Sequence, residues 1–161
     1  MHAMTALIRN PVAIALVATL AIAGCASKKT PNSAADLGLG AATPGSAQDF
    51  TVNVGDRIFF DTDSSAIRAD AQATLAKQAV WLNQYGNYAI TVEGHADERG
   101  TREYNIALGA RRASVVVNYL ISKGVNAGRI TSKSYGKERP VAICDDISCW
   151  SQNRRAVTVL Q

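Results

Sequence analysis

Residues Gly94–Arg112 read GHADERGTREYNIALGARR. Seven of these nineteen side chains are formally charged, and His95 stands among them. The stretch joins an alternating apolar segment to a helical one, so it marks where a strand gives way to a helix. Ahead of it, Asn87–Gly94 (NYAITVEG) sets Tyr88, Ile90 and Val92 opposite Ala89, Thr91 and Glu93, the period of a half-buried strand. Behind it, Thr101 is a fitting N-cap and Gly124 a fitting stop for a helix over Arg102–Ser122. At about 100° per residue, Ile106, Ala110, Ala113, Val117, Leu120 and Ile121 gather on one face, which is read as the core face. Asn105, Leu108 and Arg112 fall on the neighbouring stripe, Asn105 and Arg112 two turns apart and nearly in line.

The rest of the domain follows outward from that corner. DRIFFD (Asp56–Asp61) reads as a strand, and Ser64 or Ser65 is a credible cap for a helix with Ile67, Ala71, Leu75, Ala79 and Leu82 on one face. RITSKSYG (Arg129–Gly136) and RRAVTVLQ (Arg154–Gln161) supply two further strands. The order β-α-β-α-β-β predicts an α/β fold, an α+β sandwich in which helices pack on one face of a mixed sheet, over residues 50–161. A hydrophobic content of 47% permits an ordinary core, and a net charge of +4 is far from the clustered basic stripe of a nucleic-acid binder.

The first residues are a different kind of text. Arg9 is the only formally charged side chain before Lys28, and PVAIALVATLAIAG follows it, interrupted only by Thr19. A positive start, a short apolar run and small residues at its end predict a secretory signal over residues 1–24 rather than a membrane span. Its last residues, Ile22, Ala23 and Gly24 before Cys25, resemble the lipobox of bacterial lipoproteins. The resemblance implies diacylglycerol on the Cys25 sulfur and cleavage before Cys25; a plain secretory signal is the alternative. No aspartate follows the cysteine, which by the same resemblance implies export to the outer membrane of a Gram-negative bacterium. Residues 25–49, rich in Ala, Ser, Thr, Gly and Pro, read as a lipidated flexible linker.

Two charges in the opening stretch invite a chemical reading. Asp97 follows the second strand, and Arg112 lies on the edge of the second helix. They can bond to each other and lock the loop, or they can stand apart and grip a zwitterion. A carboxylate accepts from an ammonium, while a guanidinium forks onto a carboxylate with two parallel bonds.

GHADERGTREYN followed by ALGARRA is similar to the peptidoglycan-associated branch of the OmpA-like C-terminal domain family, as are SYGKERP (Ser134–Pro140) and NRRAVTV (Asn153–Val159). The family pattern Asn-x-x-Leu-Ser-x-x-Arg-Ala appears here as Asn105, Leu108, Gly109, Arg112 and Ala113, with Gly109 in place of the serine. The resemblance covers about residues 50–161. It implies non-covalent binding of peptidoglycan through the diaminopimelate of its stem peptide. By position, Asp97 and Arg112 would be the clamps, Asn105 and Thr101 would support the pocket, Leu108 would line it, and Asp63 would assist. The family further implies the β-propeller protein TolB as a partner, in competition with the wall, and a place in the Tol-Pal system during envelope constriction and cell division. A wall anchor of another envelope assembly, without a Tol partner, is the alternative.

Other residues take plainer readings. Arg99 and Arg102 are assigned to the solvated surface, with fixing the loop or attracting an anionic polymer as the alternatives, one of Arg154 and Arg155 to a structural ion pair, Trp81 to packing on the sheet and Trp150 to packing on the loop. No nucleophile elbow is present, and His95 is the only histidine outside the signal, too little for an ordinary zinc site. No enzyme, metal or cofactor beyond the lipid on Cys25 is expected, and His95 is placed near the pocket rim. An exported domain favours a disulfide between Cys144 and Cys149, two free thiols being the alternative.

Overall fold

The computed structural model describes residues 42–161. The expected signal peptide, Cys25 and the linker up to residue 41 lie outside the described residues. In chain order come a short helix α1 (Ala47–Asp49) that widens into a π-helical turn (Phe50–Gly55), strand β1 (Arg57–Phe59) and helix α2 (Ala69–Gln84). Strand β2 (Ile90–His95), helix α3 (Arg102–Ser122), a 3-10 turn (Ala127–Arg129), strand β3 (Ile130–Gly136), helix α4 (Ile147–Asn153) and strand β4 (Arg155–Leu160) follow.

The sheet order is β1-β4-β2-β3. β4 runs antiparallel to β1 and β2, while β3 is parallel to β2, so the sheet is mixed. A parallel neighbour needs a crossover, and α3 supplies it between β2 and β3. Ile58, Ile90, Val92 and Ala156 share one core with Leu75 and Leu82 of α2 and Val116 and Leu120 of α3. The expected β-α-β-α-β-β sandwich is therefore present. α4, between the last two strands, is an addition that the sequence reading did not contain.

The core face of α3 is turned from the one its apolar spacing suggested, although Ala113 and Leu120 are buried as expected. The buried stripe is Asn105, Leu108, Gly109, Arg112, Ala113, Val116 and Leu120, whereas Ala110 and Ile121 are exposed. The helix is turned toward the supposed neighbouring stripe because Gly109 must face the sheet. A Cβ on Gly94 of β2 would lie 1.9 Å from the Gly109 carbonyl oxygen, and one on Gly109 would lie 2.4 Å from the Ser134 hydroxyl of β3. Helix and strand thus touch backbone to backbone, and Arg112, one turn on, is carried into the interior.

α2 begins later than the serines suggested. Arg68 occupies its N-cap, without a capping side-chain bond, and Ile67 precedes the helix. The Ser64 hydroxyl instead accepts from the Ala66 amide (3.1 Å) in a local turn. The carbonyls of Asp61 and Ser64 are committed to Arg112, which holds this segment out of the helix.

Order at the N-terminal end starts before the expected linker boundary at residue 49. Ser46 caps α1 through the Asp49 amide, and the Tyr88 hydroxyl donates to the Gly45 carbonyl (2.9 Å). Asp49 Oδ2 accepts from the Gly45 amide (2.9 Å) and Trp81 Nε1 (2.8 Å), and Phe50 is buried. Trp81 accordingly sits among Phe50, Tyr85 and Tyr88, at centroid separations of 4.9, 4.7 and 5.4 Å, rather than simply against the sheet. Arg129 donates to the carbonyls of Leu82, Tyr85 and Tyr88, closing the C-terminal end of α2 beside the start of β2.

Candidate ligand cleft

The charged corner lies at the far end of β2. Asp97 is nearly buried, and its carboxylate carries four hydrogen bonds. Oδ1 accepts from the Arg99 amide and Arg99 Nε, both at 3.2 Å. Oδ2 accepts from Arg99 Nη2 at 2.7 Å and from Arg154 Nη1 at 3.3 Å. Burial works to raise this carboxyl, but the bonds from Arg99 and Arg154 outweigh it and hold the group below the ordinary carboxylate range.

Arg112 is fully buried, at 0% exposure, and belongs to the interior rather than to the helix edge. Its Nε donates to Ser64 O (2.9 Å), Nη1 to His95 O (2.8 Å) and Nη2 to Asp61 O (3.1 Å). A guanidinium has five N–H donors, so one remains on each terminal nitrogen. Burial pushes the group down to about 10, which leaves it charged at neutral pH. No hydrogen bond or ion pair joins it to Asp97 among the described residues. The two side chains are therefore not bonded to each other, and Asp97 is paired with Arg99 and Arg154 instead.

A cleft of about 210 Å³ lies beside both groups, and Asp63, Asn105 and Leu108 share its wall with them. Thr62, Arg99, Gly100 and Tyr104 complete the lining. Asp63 follows β1 with a left-handed backbone (φ 53°), and its carboxylate accepts from the Tyr104 hydroxyl across the mouth. That bond raises the Tyr104 phenol above its usual range. Asn105 is buried and its amide donates to Arg99 O (2.8 Å), fixing the loop to α3. Thr101 is outside the wall: its hydroxyl accepts from the Tyr104 amide (3.2 Å) and caps α3.

The sequence reading placed Arg99 on the solvated surface ahead of a loop-fixing role, and it did not single out Tyr104; both line the cleft. Arg99, assigned to the solvated surface, bonds Asp97 and lies over the Trp150 ring at 4.1 Å. Trp150 Nε1 donates to Glu98 Oε1 (2.8 Å), so the loop is buttressed from α4. Arg154 is the structural partner of a carboxylate, and also donates to Phe60 O. Tyr104 carried a signal only in hindsight, as an aromatic residue one turn into α3 beside Asn105.

His95 is displaced from its expected place on the rim. It is buried and stacked on Tyr135 at 5.5 Å, and it reaches the site only through its carbonyl bond to Arg112. Burial, reinforced by Arg155, Arg139 and Arg57, pushes the imidazole down to about 4. Both ring nitrogens lack a hydrogen-bond partner. Cys144 and Cys149 form a disulfide with a Cα separation of 5.6 Å, and Cys149 and Trp150 are consecutive on α4. Among the described residues no helix is long and apolar enough to cross a membrane, and no group of three or more His, Cys, Asp or Glu stands ready for a metal ion.

Comparison with known proteins adds relatives to this geometry. The model of the OmpA family matches residues 59–154. The chain is 78% identical to the peptidoglycan-associated lipoprotein of Mesorhizobium japonicum, over 99% of this chain and 97% of the relative. It is 74% identical to the protein of the same name from Rhizobium meliloti, over 98% and 91%. The crystal structure of the peptidoglycan-associated lipoprotein from Burkholderia pseudomallei superposes with a TM-score of 0.67 at 38% identity, covering 71% of this chain and 98% of that one.

Proposed function

The chain belongs to the OmpA family, and from that premise we propose that it is an outer-membrane lipoprotein that binds peptidoglycan through the cleft that the loops after β1 and β2 form with α3. The supporting observation is the separation of opposite charges. Arg112 keeps an unused N–H on each terminal nitrogen, while Asp63 and Asp97 stand in the same wall. A zwitterionic amino-acid head answers both: its carboxylate takes the guanidinium fork and its ammonium faces the acids. Diaminopimelate in a stem peptide ends in such a head. Leu108 offers apolar surface to its carbon chain, and Asn105 holds the loop that carries the acid. The step is binding alone, so nothing is cleaved.

The lipid on Cys25 supplies the membrane attachment, with the domain facing the periplasm. In that position the protein links the outer membrane to the wall and works within the Tol-Pal system during constriction at division, with TolB competing for the cleft. The relatives' shared name, across nearly the whole chain, favours this over an anchor for another envelope assembly.

Co-sedimentation with purified sacculi tests the binding. The full chain is expected to pellet with sacculi, and Asp63→Asn and Asp97→Asn are expected to lose most of that binding while melting as cooperatively as the parent. Undiminished pelleting of both variants would refute the site. TolB titrated into a complex with stem peptide should release the peptide; simultaneous binding at full affinity would refute competition.

A further inference from the structure

We propose that Arg99 is a displaceable placeholder: its guanidinium sits on Asp97 where a ligand's ammonium would sit, and the Trp150 ring keeps it when the ligand enters. The inference rests on the cleft reading above and concerns how the free protein keeps its acid occupied. Both Asp97 oxygens are already taken, so an incoming cation must replace a donor. The two cations on this carboxylate are not equivalent. Arg154 has a side chain only 7% exposed and is pinned by a second bond from Nε to Phe60 O. Arg99 has a side chain 41% exposed, and the hydrogen bonds its guanidinium makes are those to Asp97. Exposed ion pairs exchange at little net cost, whereas a buried one with a second bond does not.

The backbone is built for such an exchange. The Arg99 amide donates to Asp97 Oδ1, and its carbonyl accepts from Asn105. Lys137 Nζ donates to the carbonyls of Glu98 (3.0 Å) and Gly100 (2.7 Å) on either side. The loop is therefore tied at three successive residues, while the Arg99 guanidinium is held by Asp97 and the Trp150 ring alone. The alternative seat already exists, because the guanidinium lies 4.1 Å from the Trp150 centroid and Trp150 is held by Glu98. A cation loses little by trading a carboxylate for a ring face when another cation takes the carboxylate.

Calorimetry with the full chain in detergent and a soluble stem tetrapeptide containing meso-diaminopimelate tests this. Arg99→Gln is expected to bind about three- to fivefold more tightly than the parent, since the placeholder no longer competes. Trp150→Ala is expected to bind about threefold more weakly, and Trp150→Phe, which keeps a ring face, to recover most of that. In NMR spectra the Arg99 Nε–H resonance should shift on peptide addition while the Trp150 indole N–H stays in place. Parent binding with equal or weaker binding by Arg99→Gln would overturn the placeholder and leave the cleft reading standing. Absence of binding by the parent would remove the cleft reading, and the placeholder with it.

Discussion

Gly94 of β2 and Gly109 of α3 meet with no side chain between them. A Cβ on Gly94 would enter the Gly109 carbonyl, at 1.9 Å from its oxygen. One on Gly109 would meet the Ser134 hydroxyl at 2.4 Å and the Gly94 carbonyl oxygen at 2.8 Å. This contact sets the height of α3 over the sheet, and so the depth to which Arg112 is carried.

Substitution there should cost stability in a defined order. Gly94→Ala pushes a methyl into backbone and is expected to cost about 3 kcal/mol or more. Gly109→Ala meets the Ser134 hydroxyl and, less deeply than in the reverse case, the Gly94 carbonyl oxygen at 2.8 Å, and alanine gains up to about 1 kcal/mol in a helix, so it should cost less. Denaturant melts of the two variants check the order; the reverse order would contradict the packing.

Arg112 ties the β1–α2 segment to the end of β2 as well as facing the cleft. Arg112→Ala strands three carbonyls and is expected to cost about 3–5 kcal/mol. Arg112→Lys should recover only part, since an ammonium on a flexible stem cannot span Asp61, Ser64 and His95 together. Denaturation midpoints give the magnitudes. Hydrogen exchange should show the β1–α2 segment opening first in both variants.

His95 should make stability depend on pH. Its folded value of about 4 lies below the ordinary 6.5, so the unfolded chain takes up the proton first. The contribution is complete above about pH 6.5 and is lost as pH falls from there toward 4, by a total on the order of 3 kcal/mol. Asp97, held below the ordinary carboxylate range, adds its own loss only at still lower pH. Thermal melts between pH 7 and pH 4.5 should fall steadily for the parent. A His95→Phe variant should give a nearly level profile across that window.

The Cys144–Cys149 bridge closes a short loop, and its removal is expected to cost about 2 kcal/mol by the loop-entropy relation. Comparing melts of the full chain with and without a thiol reductant measures it. A double Cys→Ser variant should match the reduced protein and ignore the reductant.

The corner from Gly94 to Arg112 was the most legible part of the chain. Alternation, a capping threonine and a closing glycine are local signals, and β2 and α3 follow them closely. The facing of α3 was not legible, because its buried stripe contains Asn105, Gly109 and Arg112. Apolar periodicity ranks such residues as outward, yet one is wanted for its lack of a side chain and two for bonds to carbonyls outside the helix. Ser64 misled the start of α2 because a serine that turns the chain locally looks the same as one that caps a helix. Arg99 was misplaced because a bond back to Asp97 depends on the path of the loop. α4 lay hidden in a span read only for its cysteines and for Trp150 as a loop residue, although Asp146 was available to cap it.

The segment from Gly45 to Phe50 is fastened to Trp81 and Tyr88, just before β2 begins, and the cleft opens just beyond where β2 ends. The six residues between span about 20 Å. β2 is an inner strand, laddered to β4 on one side and β3 on the other. A pull that entered at Gly45 and was resisted by whatever fills the cleft would therefore run lengthwise down that strand. It would load both ladders in shear, many hydrogen bonds at once, instead of unzipping them singly from an edge.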